Sequence, residues 1–176
     1  GYFQTAKYFD DYKSVIEKIL GLNTMIREAQ EKYKSYFTAF TCAVHFRISG
    51  YREVSDKHPV CSAEYYIKAM AEMKSKYPET TYLIFCQPED TEEVKALIEG
   101  LGNYSATFID SNIPDWEQLL LMASCQLHII ANSTFSWWGA YLNANNNAIT
   151  CCPQKWFATK CDKDIRDLYL RTWKII

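Results

Sequence analysis

LHIIANSTFSWWGAYLN, Leu127 to Asn143, is the stretch that decides how this chain folds. Leu127 to Ala131 form a short apolar run of strand length, and Phe135 to Asn143 reads as a helix. Between them stand Asn132, Ser133 and Thr134, so hydroxyls and amide N–H groups lead straight from strand to helix. Repeated along a chain, such a strand–helix step builds a parallel sheet covered on both faces.

The alternation continues in both directions. Ala39 to Phe46, Tyr82 to Cys86, Ala106 to Ile109 and Ala148 to Cys152 are the other predicted strands. Ser62 to Tyr77 is predicted helical with Ser62 as N-cap, and Asp90 to Leu101 with Thr91 as cap and Gly102 as stop. Asp115 to Ser124 supplies a further helix. Residues 5 to 36 also read as helical: Tyr8, Phe9, Tyr12, Val15, Ile16, Ile19 and Leu20 recur at helical spacing. The charged run from Arg27 to Lys34 reads as a solvated face. The expected class is α/β, a parallel sheet flanked by helices, with a helical lead-in over 1–36 and one domain over 37–176.

At 176 residues a single domain is the default, burying roughly 70% of its unfolded surface. With 6 Gly and 5 Pro, collagen-like and low-complexity classes are excluded. The balance of 19 basic against 21 acidic residues, net −2, argues against nucleic acid held by phosphate electrostatics. No apolar run reaches the ~20 residues of a membrane span, and no signal peptide opens the chain. It begins at Gly1 rather than Met, as expected of a piece of something longer. The seven cysteines are odd in number, lie mostly in apolar stretches and include no Cys-x-x-Cys pair. Cys125 and His128 have a ligand-like offset but read as buried packing, so no metal site is expected, and a reducing compartment is.

Ligands of open parallel sheets sit beyond the carboxyl ends of the strands. Two loops there are chemically loaded. His45-Phe46-Arg47-Ile48-Ser49-Gly50-Tyr51-Arg52 follows the first strand, and Asn132-Ser133-Thr134-Phe135-Ser136 follows the fourth. A helix N-terminus presents unpaired N–H donors and partial positive charge, and an arginine adds a bidentate fork. Together they describe a diphosphate cradle. No Gly-x-Gly-x-x-Gly, Walker-type or Gly-x-Ser-x-Gly sequence occurs, which removes support for dinucleotide, P-loop and hydrolase readings.

At these loops the chain resembles the α-1,2-fucosyltransferases of glycosyltransferase family eleven. ANSTFSWWGAYLN (131–143) looks like that family's most recognisable block, and HFRISGY (45–51) like its His-x-Arg-Arg-Gly-Asp-Tyr motif. The latter is also similar to the His-x-Arg-Ile pattern of protein O-fucosyltransferases. GYFQTAKYF (1–9), LLLMASCQLHIIANST (119–134) and DLYLRTWKII (167–176) extend the likeness over nearly the whole chain, but over only the second half of the usual enzyme. The Gly-Gly-Leu-Gly-Asn-Gln lobe is absent.

The resemblance implies a Rossmann-like nucleotide-sugar-binding lobe of a GT-B architecture, taking GDP-fucose in a metal-independent, inverting transfer to a glycan hydroxyl. Arg47 would neutralise the β-phosphate and be the catalytic residue, and His45 would orient guanosine or diphosphate. Asn132, Ser133, Thr134, Phe135 and Ser136 would hold the phosphates, Phe135 through its N–H. Asp115 or Glu117 would read the guanine edge. The implied partners are GDP-fucose or GDP, a glycan acceptor and the missing N-terminal lobe, without nucleic acid or cofactor. The implied compartment is cytoplasmic, or Golgi if an upstream anchor exists. Ile48 replaces the motif's second Arg and Ser49-Gly50 its Gly-Asp, which removes an arginine-orienting or turn-setting carboxylate; Gly50 would supply the turn through positive φ. That departure motivates a rival reading, a non-catalytic nucleotide-sugar module, beside a third, an enzyme using another GDP-sugar.

Several residues also have plainer readings. Trp138 reads as core, Trp137 as core or ligand stacking, His58 as a solvated loop residue and His128 as a hydrogen-bonded core residue. Asn103 and Asn132 match the glycosylation acceptor pattern.

Overall fold

A computed structural model describes residues 5–102, 104–143, 145, 148–159 and 164–176. Asn103, Cys161 and the first four residues of the GYFQTAKYF segment fall outside the described residues.

Six parallel strands form the sheet: β1 (Thr41–His45), β2 (Thr81–Phe85), β3 (Ala106–Phe108), β4 (Leu127–Ile129), β5 (Ile149–Cys152) and β6 (Lys174–Ile175). Their order is β3-β2-β1-β4-β5-β6. The chain steps outward from β1 to β3, then returns to the other side of β1 to place β4. That reversal puts a crevice between the carboxyl ends of β1 and β4, where α/β proteins bind ligands. The five expected strands are all present, and β6 is an addition that sequence patterning did not show.

The helices are α1 (Lys13–Leu20), α2 (Leu22–Lys32), α3 (Ser49–Arg52), α4 (Ala63–Lys76), α5 (Thr91–Gly100), α6 (Asp115–Ala123) and α7 (Thr134–Tyr141). Ser62 caps α4 as expected, accepting from the Tyr65 N–H at 3.3 Å. Thr91 is not a cap: it is the first residue of α5, after a 3-10 turn at Pro88–Asp90. The lead-in is not one helix either. Gly21, at φ +63°, ends α1 and opens α2, and short 3-10 turns flank the pair.

Strand alternation splits the core into two faces. Cys42, Val44, Tyr82 and Ile84 pack against Tyr66, Met70 and Met73 of α4 and Val94 and Ile98 of α5. Ala43, Leu83 and Phe85 pack the other way, against Leu120 and Leu121 of α6 and Leu22 and Ala29 of α2. Beyond β4, Trp137 and Tyr141 of α7 join Trp156, Leu168 and Trp173. Trp137 is thus core, with its Nε1–H donating to the Leu168 carbonyl at 2.6 Å. Trp138 is half-buried and stacks on Phe9 of the lead-in, the ring centroids 5.1 Å apart.

Helices α6 and α7 meet at Gly139, where an added Cβ would collide with the side chain of Met122. Helix α1, by contrast, buries nothing: Ile19 and Leu20 are 77% and 60% exposed. It touches the domain through Lys13, whose Nζ donates to the Tyr141 carbonyl at 3.0 Å.

Candidate active site

The cleft at the switch point has a volume of about 420 Å³ and draws its walls from four loops. After β1 come His45, Arg47 and Tyr51; after β2, Cys86, Gln87 and Pro88; before and within α6, Ser111, Asp115 and Gln118; after β4, Ser133, Thr134 and Phe135. Arg47 and the start of α7, which lie on opposite sides of β2 in the sequence, therefore face one space.

Arg47 emerges one residue past the buried Phe46, so sheet packing fixes where it leaves the strand. Its guanidinium carbon lies 5.6 Å from the centre of the Tyr51 ring. A Cβ on Gly50 would stand 3.2 Å from Arg47 Nη2. Gly50 is inside α3, and among the described glycines positive φ occurs only at Gly21 and Gly102. The expected left-handed turn is therefore absent; what Gly50 contributes is room for the guanidinium. Among the described residues Arg47 forms no ion pair, which leaves its charge for a ligand.

His45 is buried beside it, tilted against Phe135 with centroids 5.5 Å apart. Its Nδ1 is buried and has no hydrogen-bond partner. Burial, with Arg47 adding to it, lowers the imidazole pKa to about 3, so the ring is neutral at physiological pH. A buried polar atom without a partner, on a cleft wall, calls for a ligand or water to satisfy it.

Ser133 is the N-cap of α7 in extended conformation, yet its hydroxyl does not bond the helix amides. Thr134 and Phe135 follow as the first turn and line the cleft. The two loaded loops are joined directly: the Tyr51 hydroxyl donates to the Asn132 carbonyl at 2.9 Å.

Three predicted site residues lie elsewhere. Glu117 is two positions after Asp115, some 200° around the helix, so it faces α2 instead of the cleft. There its carboxylate accepts from Lys32 Nζ at 2.7 Å and from the Tyr33 hydroxyl, which hold it below the usual carboxylate range. Asn132 donates to the carbonyls of Pro59 and Trp156 at 2.9 and 3.0 Å, and its Oδ1 accepts from the Cys61 thiol. At 1% exposure it serves as a brace between loops, out of reach as a glycosylation acceptor in the folded chain. Ser136 turns its hydroxyl back to the carbonyls of Ala131 and Ser133, both at 3.3 Å.

The remaining histidines and Cys125 have structural settings. His58 is not a solvated loop residue; it stacks on Tyr51 and lies tilted against Phe157. His128 is fully buried with Nε2 2.9 Å from the Met122 carbonyl, and the Cys125 thiol donates to Leu121. Sequence reading missed Asp90, whose buried carboxylate binds the amides just after Arg47, and Gln118, which lines the cleft. The available signal for Asp90 was an acidic residue past the end of a strand adjacent to β1.

Against known proteins, the chain is 29% identical over 162 residues to an alpha-1,2-colitosyltransferase of Escherichia coli, covering 89% of this chain and 55% of that protein. It is 30% identical over 169 residues to the O-antigen biosynthesis glycosyltransferase WbnK of Escherichia coli, covering 89% and 54%. The chain thus spans about half the length of these curated relatives. Among solved structures, a family 9 glycosyl transferase from Veillonella parvula superposes with a TM-score of 0.56 at 15% identity, over 87% of this chain and 40% of that one. Escherichia coli ADP-heptose LPS heptosyltransferase II does so with a TM-score of 0.54 at 9% identity, over 87% and 43%. These likenesses show the fold, a Rossmann-like lobe of the GT-B kind. The profile of glycosyl transferase family 11 matches residues 1–176, the whole chain, and the chain belongs to that family.

Proposed function

We propose that this chain is the donor-binding half of an inverting glycosyltransferase that takes its sugar from GDP-fucose. The carrying observation is the convergence of Arg47 and the Ser133–Phe135 turn on one cleft, with the two loops tied through Tyr51 and Asn132. In the proposed reaction an acceptor hydroxyl attacks the anomeric carbon and gives up its proton to water, and the bond to the β-phosphate oxygen breaks with its electrons leaving on GDP. The diphosphate gains charge as it departs, so preorganised donors around it lower the barrier. Arg47 supplies a permanent positive fork, and the first turn of α7 supplies N–H groups and the Ser133 hydroxyl. These stand in the reading for a metal ion. His45, neutral, offers one hydrogen bond through Nδ1. Asp115 presents a carboxylate at the opposite wall, suited to the N1–H and N2–H₂ edge of guanine. Glu117, Asn132 and Ser136 have no direct part in it.

The glycan acceptor, an N-terminal lobe completing the length seen in the relatives, and a cytoplasmic location belong to the same proposal. The last is supported by Cys42, Cys125, Cys151 and Cys152, which serve as buried core atoms with free thiols. No helix among the described residues is long and apolar enough to cross a membrane.

Calorimetry tests the reading. GDP should bind more tightly than ADP, and Arg47→Ala should abolish most of that binding. Equal affinity for the two nucleotides, or an Arg47→Ala protein that binds GDP like the wild type, refutes it. A second reading, another GDP-sugar as donor, is favoured by the colitosyltransferase named among the relatives. Competition between GDP-fucose and other GDP-sugars separates the two. Labelled-sugar turnover by the naturally expressed polypeptide separates both from a module that binds without transferring.

A further inference from the structure

We propose that Asp90 is a positioning residue for Arg47, the carboxylate that fixes the diphosphate-binding loop from a neighbouring strand's exit. This rests on the reading of the cleft as a diphosphate site. Asp90 is 2% exposed, and among the described residues no cation pairs with it. Its charge is met by backbone instead. Oδ1 accepts from the Ser49 N–H at 3.1 Å, and Oδ2 accepts from Ile48 at 3.3 Å and Ser49 at 3.4 Å. A buried carboxylate is costly unless hydrogen-bonded, so the two amides directly after Arg47 and this side chain hold each other.

The rest of the loop follows from that anchor. Ser49 Oγ reaches Gln87 Oε1 at 3.4 Å and Glu89 Oε1 at 3.3 Å, a second strap to the same β2–α5 segment. Strand β1 pairs with β2 up to His45 and Phe85, so both segments leave the sheet side by side. Asp90 therefore fixes the backbone on one side of Arg47 while Phe46, buried in the core, fixes it on the other. The guanidinium then lies over Gly50 and beside Tyr51, free of any carboxylate of its own. A carboxylate at position 50 would meet the guanidinium and compete with a phosphate. One at position 90, spent on the backbone, sets the loop and leaves the cation available.

The test compares GDP with guanosine, which lacks the phosphates, in wild type, Asp90→Ala and Asp90→Asn. Asp90→Ala should weaken GDP by about tenfold or more and leave guanosine within about twofold. Asp90→Asn keeps an acceptor oxygen and should recover part of the loss. In hydrogen exchange, the Ile48 and Ser49 amides should exchange faster in both variants. Equal weakening of GDP and guanosine, or unchanged GDP affinity, overturns the proposal. If Asp90→Ala does not fold, Asp90→Asn carries the comparison; if that also fails to fold, Asp90 is a folding residue and the proposal is overturned. A wild type that binds no GDP refutes the diphosphate reading, while slow exchange at Ile48 and Ser49, lost in Asp90→Asn, would still establish the anchor.

Discussion

Two clefts open at the carboxyl end of this sheet, and they differ in how their polar groups are engaged. The larger, of about 510 Å³, lies between the start of α4 and the ends of β5 and β6. Several of its polar groups are engaged: Ser62 caps α4, Lys68 pairs with Glu64 at 2.6 Å, and the Tyr65 hydroxyl donates to the Ile130 and Cys151 carbonyls, while Lys155 forms no ion pair among the described residues. The smaller cleft keeps an arginine without an ion pair, a buried imidazole nitrogen without a partner and an N-cap hydroxyl that caps nothing. No histidine lines the larger cleft, so it has no counterpart to that buried nitrogen.

The largest expected effect tests that contrast directly. Arg47→Ala should weaken GDP binding by about a hundredfold, the worth of a charge-assisted bidentate contact of roughly 3 kcal/mol. Next is acid sensitivity. His45 and His128 are held neutral by burial, with pKa values lowered to about 3 and about 4 from an ordinary 6.5. The unfolded chain therefore binds more protons than the folded one between those values. Stability should be level above about pH 7 and fall as pH drops from 6.5 toward 4, by about 1.4 kcal/mol per pH unit for each histidine. Denaturant titrations across that range measure it, and a flat profile would show that neither imidazole is held neutral by burial. Ser133→Ala should cost GDP affinity about three- to tenfold, the share of one hydroxyl. Smallest of all, Lys68→Ala in the larger cleft should change GDP affinity by less than about twofold. A larger loss there would merge the two clefts into one functional surface.

The parts of the fold set by local pattern were legible. LHIIA, YLIFC and their like are apolar over strand length, and hydroxyls after LHIIA marked the α7 start. What escaped reading depends on distance or on phase. Asp90 meets Ile48 across 42 positions, and nothing local distinguishes it from a helix-opening acid. Asp115 and Glu117 look equivalent in sequence, but only packing against α2 decides which of them turns toward the cleft. Strand β6 is two residues long, too short to show a period. Gly50 invited a turn argument because glycines commonly serve turns, while here it lies against the guanidinium, which a side chain at that position would crowd.

The contact between Gly139 and Met122 has a consequence for the crevice. Helix α6 carries Asp115 and helix α7 follows Ser133, so the opposing banks of the crevice belong to two rods seated against each other with no slack. A larger residue at position 139 would press on Met122 and push the two rods apart, and with them the two banks.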